Sequence, residues 1–149
     1  MKLPEGREAN FARDYKYMGE PAEEKALELI KKHIDPNAYR RGTKGFDLVS
    51  EVIGLVEVKN GLLGRTHFAL EVMDNGKPSG ISTTMAGYWA ILAWEKVFLI
   101  KTSVLEGLRK EYQHLERDYR ITGNNKLTRI IPVPLEQIEA WSEHIWEIK

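Results

Sequence analysis

Three residues could do chemistry together: Asp47, Glu57 and Lys59. Asp47 sits in the apolar run Phe46-Asp47-Leu48-Val49, and Glu57-Val58-Lys59 ends a second apolar run that starts at Gly54. Side chains two apart on a strand point the same way, so Glu57 and Lys59 share one face and Val56 and Val58 the other. A hairpin turning around Val52 sets Asp47 directly opposite Glu57, with β-carbons roughly 5 Å apart. Two carboxylates so close repel each other, and a divalent cation relieves the repulsion. Mg²⁺ (or Mn²⁺) suits such a site, because Mg²⁺ takes oxygen ligands and is often held by one or two carboxylates with phosphate and water. The backbone carbonyl of Val58 is a further candidate ligand. Such a metal polarises a phosphate and lowers the pKa of bound water. Lys59 would orient or deprotonate that water, or stabilise charge building on the phosphorane. Glu-x-Lys alone carries little, since Glu23-Glu24-Lys25 and Glu147-Ile148-Lys149 match it too. Only Glu57-Val58-Lys59 follows an apolar strand that carries an acid. A solvent-facing charge pair is the competing reading, but Asp is depleted in strands.

The elements that must position these residues follow from pattern. A helix begins near Pro21, a residue suited to a first helical turn, and carries Ala26, Leu27, Ile30 and Ile34 at helical spacing. Asp35-Pro36-Asn37 ends it. Tyr39 to Gly45 reads as a basic loop. Strands follow over Phe46–Ser50, Val52–Lys59 and Thr66–Met73, with Asn60-Gly61 and Asp74 to Gly80 as turns. Ser82-Thr83-Thr84 caps a helix expected to run to about Trp94. Val97–Lys101 reads as a buried strand, Thr102-Ser103 as the cap of another helix, and Gly123-Asn124-Asn125 as a turn. Leu127–Ile131 reads as a strand stopped by Pro132; Pro134 opens a short helix, and Ile145–Lys149 forms a last edge strand. The expected fold class is α/β, a mixed central β-sheet flanked by helices.

Composition narrows the function classes. The chain has 149 residues, which suits one domain spanning 1–149. Its 22 Lys and Arg balance 22 Asp and Glu, which counts against a protein that simply coats DNA. The absence of cysteine excludes disulfides, cysteine-ligated zinc and a cysteine nucleophile. The four histidines show no metal-ligand spacing. No apolar N-terminal core and no apolar run of roughly 18 residues is present, so a cytoplasmic protein is expected.

With Asp47 followed by Glu57-x-Lys59, between an acid-bearing helix and a third strand and helix, the sequence resembles the PD-(D/E)XK nuclease superfamily. The resemblance covers about residues 20–101, the αβββαβ restriction-endonuclease-like core, with 102–149 as a helical and mixed extension. It is strongest to small archaeal and phage enzymes of the Holliday-junction-resolvase or homing type. The run Lys77 to Thr84, with Tyr88-Trp89, also looks like phage members, which would place the protein in a host cytoplasm. Phe46 stands where the superfamily's name has proline. The resemblance implies a divalent-metal-dependent DNA endonuclease acting on branched (Holliday-junction-like) or duplex DNA. It also implies an acid on the first helix near the metal; Glu23 lies on that helix's apolar face and is chosen over Glu24 and Glu28. The expected catalytic set is therefore Asp47, Glu57, Lys59 and Glu23, and the metal set Asp47, Glu57, Val58 and Glu23. Arg40, Arg41 and Lys44 at the rim, Lys77 on a turn and Thr84 are the expected DNA contacts, with Glu71 a weak candidate for the metal shell. A homodimer is expected, because cutting both strands takes two sites and isologous pairing is the commonest assembly. The alternatives are a catalytically inactive binding or structural module on the same fold and an RNA-processing nuclease.

Overall fold

The architecture comes from a computed structural model that describes residues 8–9, 20–43, 45–121 and 127–148. Helix α1, Glu20–His33, is built from strong helix formers and closes on Lys31, Lys32 and His33, which suit the negative end of its dipole. Three antiparallel strands follow: β2 (Tyr39–Thr43), β3 (Phe46–Ser50) and β4 (Gly54–Lys59). The chain then leaves that sheet. Strands β5 (Leu62–Leu63), β6 (His67–Asp74) and β7 (Lys77–Pro78) belong to a second sheet. A 3-10 turn at Gly80–Ser82 returns the chain to β8 (Tyr88–Ala93), which lies parallel to β4, and β9 (Lys96–Lys101) turns back beside it. Helix α2 (Thr102–Glu111), β10 (Arg117–Ile121), β11 (Leu127–Pro134), α3 (Leu135–Trp141) and β12 (His144–Glu147) complete the order, and β1 (Glu8–Ala9) pairs with β10.

The first sheet has the order β12-β9-β8-β4-β3-β2, and the second β1-β10-β11-β6-β5 with β7 on β6. Phe68, Leu70, Ile131 and Val133 of the second sheet pack on Trp89, Ile91, Phe98 and Ile100 of the first, closed by Leu105 and Leu108 of α2 and Ile138 of α3. The other face of the first sheet offers Leu48, Val56, Leu92 and Leu99 to Ala26 and Ile30 of α1. The result is a mixed α/β arrangement of three layers: α1, a mixed sheet, then a second sheet. Among the described residues, no helix is long and apolar enough to cross a membrane.

Several local expectations are corrected. No α-helix spans Ser82 to Trp94. Tyr88–Ala93 is a central strand, buried from Trp89 onward. A short apolar run buried on both faces looks alike in a helix and a central strand, so periodicity could not separate them. The Ser82 hydroxyl donates to the Val72 carbonyl at 2.9 Å instead of capping a helix. The αβββαβ order therefore lacks its second helix between the third and fourth strands; the first helix after β4 is α2, beyond β9. Likewise Thr102 does not cap α2, whose N-cap is Lys101; its hydroxyl donates to Ala86 O at 2.7 Å. The basic stretch expected as a loop is strand β2, with an irregularity between Arg40 and Thr43. Strand β11 runs through Pro132, because β10 pairs with β11 only as far as Ile130 and leaves that side open beyond it. Strand β10 carried no clear pattern and was not expected. The turn expected at Gly123-Asn124-Asn125 lies outside the described residues.

Candidate functional site

The β3–β4 hairpin pairs Leu48 with Val56 and Ser50 with Gly54. Extending that register by one residue sets Asp47 against Glu57, as the strand pattern predicts. Leu48 and Val56 face α1, so Asp47, Glu57 and Lys59 lie on the opposite face by alternation. Next door, Glu57 pairs in register with Trp89 and Lys59 with Ile91, both in the core between the sheets. The charged residues thus lie on the sheet face that carries that core.

Each side chain is held. Asp47 accepts a hydrogen bond from the Val58 backbone N–H at 2.8 Å. This N–H is the contact that Val58 makes in the site. Glu57, with 12% of its side chain exposed, lies 4.0 Å from the Lys59 ammonium. The Thr84 hydroxyl stands 3.3 Å from Glu57 Oε1 and 3.3 Å from the Gly45 carbonyl, and accepts from the Ala86 N–H. A hydroxyl has one proton, so it serves those two acceptors in turn. The neighbouring Met85 N–H fastens the same loop to Gly45 O at 2.9 Å. Gly45 has φ +101°, and a β-carbon there would meet Met85 at 2.9 Å, so that backbone needs glycine. Lys59 lies over the Trp89 ring, 5.9 Å from its centroid, in reach of a cation–π attraction. Burial pushes the Glu57 carboxyl above its ordinary pKa, and the Asp47 and Glu71 carboxylates add to the rise; Lys59 and the Thr84 hydrogen bond oppose it.

The structure does not bring Glu23 to this group. Helix α1 covers the far face of the sheet, and Glu23 pairs instead with Arg40 on edge strand β2, at 3.2 Å. Glu24 lies 3.8 Å from the same guanidinium, and Glu28 pairs with Lys25. Among the described residues, no three His, Asp or Glu converge to hold a metal ion. Arg40 is engaged with helix acids, whereas Arg41 is exposed on β2 and Lys77 on β7. Lys44 lies outside the described residues. Thr84 reaches the site through Glu57.

A cleft of about 260 Å³ adjoins Lys59, walled by Glu71 and Asp74 of β6, Thr128 and Ile130 of β11, and Trp89. Glu71 is the acid whose weight the sequence understates. It interrupts the apolar run Phe68-Ala69-Leu70-Glu71-Val72-Met73 as Asp47 interrupts its own, and that was the available signal. Asp74 and Thr128 gave none, because only the pairing of β6 with β11 brings them together, with the Thr128 hydroxyl donating to Asp74 at 3.2 Å. No protein-family model matches the chain, no curated protein matches it, and no solved structure matches its fold.

Proposed function

We propose that the chain is a divalent-metal-dependent endonuclease that hydrolyses DNA phosphodiester bonds, in branched or duplex DNA. The observation that carries this reading is the convergence of Asp47, Glu57 and Lys59 on one face of the β3–β4 hairpin, two carboxylates and an amine, with the amine bordering a cleft. The sheet adds partial support: a helix precedes the β3–β4 hairpin and β8 lies parallel to β4, while the third strand expected at 66–73 lies in the second sheet and no α-helix leads from it to β8.

The donor set fits Mg²⁺ or Mn²⁺. Asp47 and Glu57 offer hard carboxylate oxygens, and two carboxylates suffice when phosphate and water complete the shell. When bound, the metal would supply charge to polarise the phosphate and acidify water. The protein's own groups do the positioning. The Val58 N–H orients Asp47, Thr84 orients Glu57, and the Trp89 ring supports Lys59, whose ammonium offsets charge building on the phosphate. Exposed Arg41 and Lys77 are available to flanking phosphates. A homodimer carrying two such sites would cut both strands of a duplex.

One observation favours a second reading, a nucleic-acid-binding protein that does not cut: among the described residues no third acid joins Asp47 and Glu57 in a metal-holding group. Nicking of plasmid, linear and four-way-junction DNA with Mg²⁺ or Mn²⁺ decides between them. The expected outcome is metal-dependent cutting that falls at least about a hundredfold in Asp47→Ala and Lys59→Ala. Binding of these DNAs without cutting by wild type supports the second reading. Full cutting by both folded variants would place the site elsewhere.

A further inference from the structure

The described residues include two hairpins closed by two-residue turns. Asp74 pairs with Lys77 around Asn75-Gly76, and Ala93 pairs with Lys96 around Trp94-Glu95. A turn this tight favours positive φ at both central positions, which Asn-Gly adopts readily. Asn75 and Gly76, at φ 51° and 83°, are that ordinary solution. Trp94 and Glu95 hold the same kind of backbone, at φ 52° and 61°, although a bulky side chain disfavours it. The turn itself therefore asks for no tryptophan, and backbone strain of this kind tends to collect at functional sites. The ring is also held in place. Its indole N–H donates to the Arg65 carbonyl at 3.2 Å, against the loop between β5 and β6. The Arg65 guanidinium lies over the ring, 5.4 Å from its centroid, and among the described residues no carboxylate pairs with it. Even so, 43% of Trp94 stays open to solvent. A pin between turn and loop would explain the indole hydrogen bond alone. It does not explain an exposed ring beside a cation that no acid neutralises.

We infer that Trp94 and Arg65 bind an unpaired nucleotide of a single-stranded DNA segment, its base stacked on the indole and its phosphate beside the guanidinium. The inference rests on the nuclease reading for its DNA. Every base has a π-face that an exposed aromatic ring can take, and the phosphate joined to it carries the charge that Arg65 lacks as a partner. In an intact duplex those faces are already stacked on neighbouring bases, so the site suits an unpaired stretch. Its place in the fold agrees. Strands β4 and β8 are parallel, so Lys59 and the Trp94 turn lie at the same end of the sheet. Lys59 pairs with Ile91, and Trp94 stands three residues further along the chain, roughly 10 Å at the rise of a strand. That distance equals about three base steps of 3.4 Å each. The stacked nucleotide is then a near neighbour of the phosphate attacked beside Lys59.

The test measures binding of the full chain to two labelled single strands of equal length by fluorescence anisotropy, with a chelator present to prevent cutting. One strand carries its bases and the other is abasic throughout. Their phosphates are the same, so a difference in affinity reports stacking. Wild type should bind the base-bearing strand at least about fivefold tighter. Trp94→Gly suits the left-handed backbone and removes the ring without straining the turn, so it should erase that difference. Arg65→Ala leaves the turn untouched and should lower the salt dependence of log affinity by about 0.7 on the base-bearing strand. Circular dichroism shows whether each variant is folded, and either folded variant suffices. Equal binding of the two strands by wild type, or binding of neither, overturns the inference. So does a difference that persists in folded Trp94→Gly, or an unchanged salt dependence in folded Arg65→Ala. Plasmid nicking with Mg²⁺ on the same wild-type sample separates the two claims. Cutting without a preference for the base-bearing strand removes the stacking site and keeps the nuclease, and the preference without cutting keeps the stacking site and removes the nuclease.

Discussion

Thr84 shows how much of the site depends on one hydroxyl. It bridges Glu57 to the Gly45 carbonyl and accepts from Ala86, so it joins β4, the entry to β3 and the loop before β8. The sequence suggests a DNA contact at Thr84, and a helix cap explains Thr83 and Thr84 equally well; in the structure the Thr84 hydroxyl lies 3.3 Å from Glu57 Oε1, where it would hold that carboxylate in place. Thr84→Val keeps the shape and removes the hydroxyl, leaving the Ala86 N–H and Gly45 carbonyl without that partner. It should cost about 1–3 kcal/mol of stability. Denaturant melts measure that cost. Nicking assays under folded conditions should show a fall in cutting that Thr84→Ser largely restores. An unchanged rate in a folded Thr84→Val protein would show that Glu57 needs no such support.

At the scale of elements, the proposed site asks that the β3–β4 hairpin, whose face carries Asp47 and Glu57, be held firmly against its surroundings. Asp35, just beyond α1, does this. Its buried carboxylate accepts from the Asn37 N–H, the Ser50 hydroxyl and the Glu51 N–H, so it clasps the hairpin turn. These hydrogen bonds, the Asn37 N–H first, hold its pKa below the ordinary value of 3.8. A group depressed in the folded state stabilises the protein above its unfolded pKa, and that contribution is lost as pH falls through its folded pKa. Asp35→Asn should therefore be less stable than wild type at neutral pH, with the deficit shrinking once pH drops below 3.8. Urea melts from neutral to strongly acidic pH measure it. A deficit that stays constant across that range would show that charge has no part in the clasp.

On the scale of the whole molecule, Trp89 belongs both to the core and to the candidate site. It fills the core between the sheets, fully buried, and one ring face carries Lys59 at the cleft. Trp89→Ala should cost about 3–5 kcal/mol through the cavity it leaves. It should also lower cutting in preparations kept well below their melting temperature, because Lys59 loses its platform. Calorimetry and nicking on one preparation separate the two effects; a destabilised protein with undiminished cutting would leave Trp89 a packing residue alone. The two-sheet arrangement places it in both: β6 and β11 lie over the first sheet and leave the cleft at its margin.

Much of the candidate site was legible in the chain because it is local. A two-residue period and a short turn fix the faces of Asp47, Glu57 and Lys59, and both are properties of fourteen consecutive residues, 46–59. Helix α1 was legible for the same reason, and so was the mixed α/β class. What lay beyond reach depends on partners distant in sequence. Trp89-Ala90-Ile91-Leu92-Ala93 is a strand only because neighbours bury both of its faces. Arg40 claims Glu23 only because β2 forms the sheet edge beside α1. Glu71, Asp74 and Thr128 meet at one cleft only because β6 pairs with β11 after crossing to a second sheet. The alternation of side chains along a strand is dictated by backbone geometry, residue by residue. Which strands become neighbours depends on burial summed over the whole chain, and that sum exists only once the chain is folded.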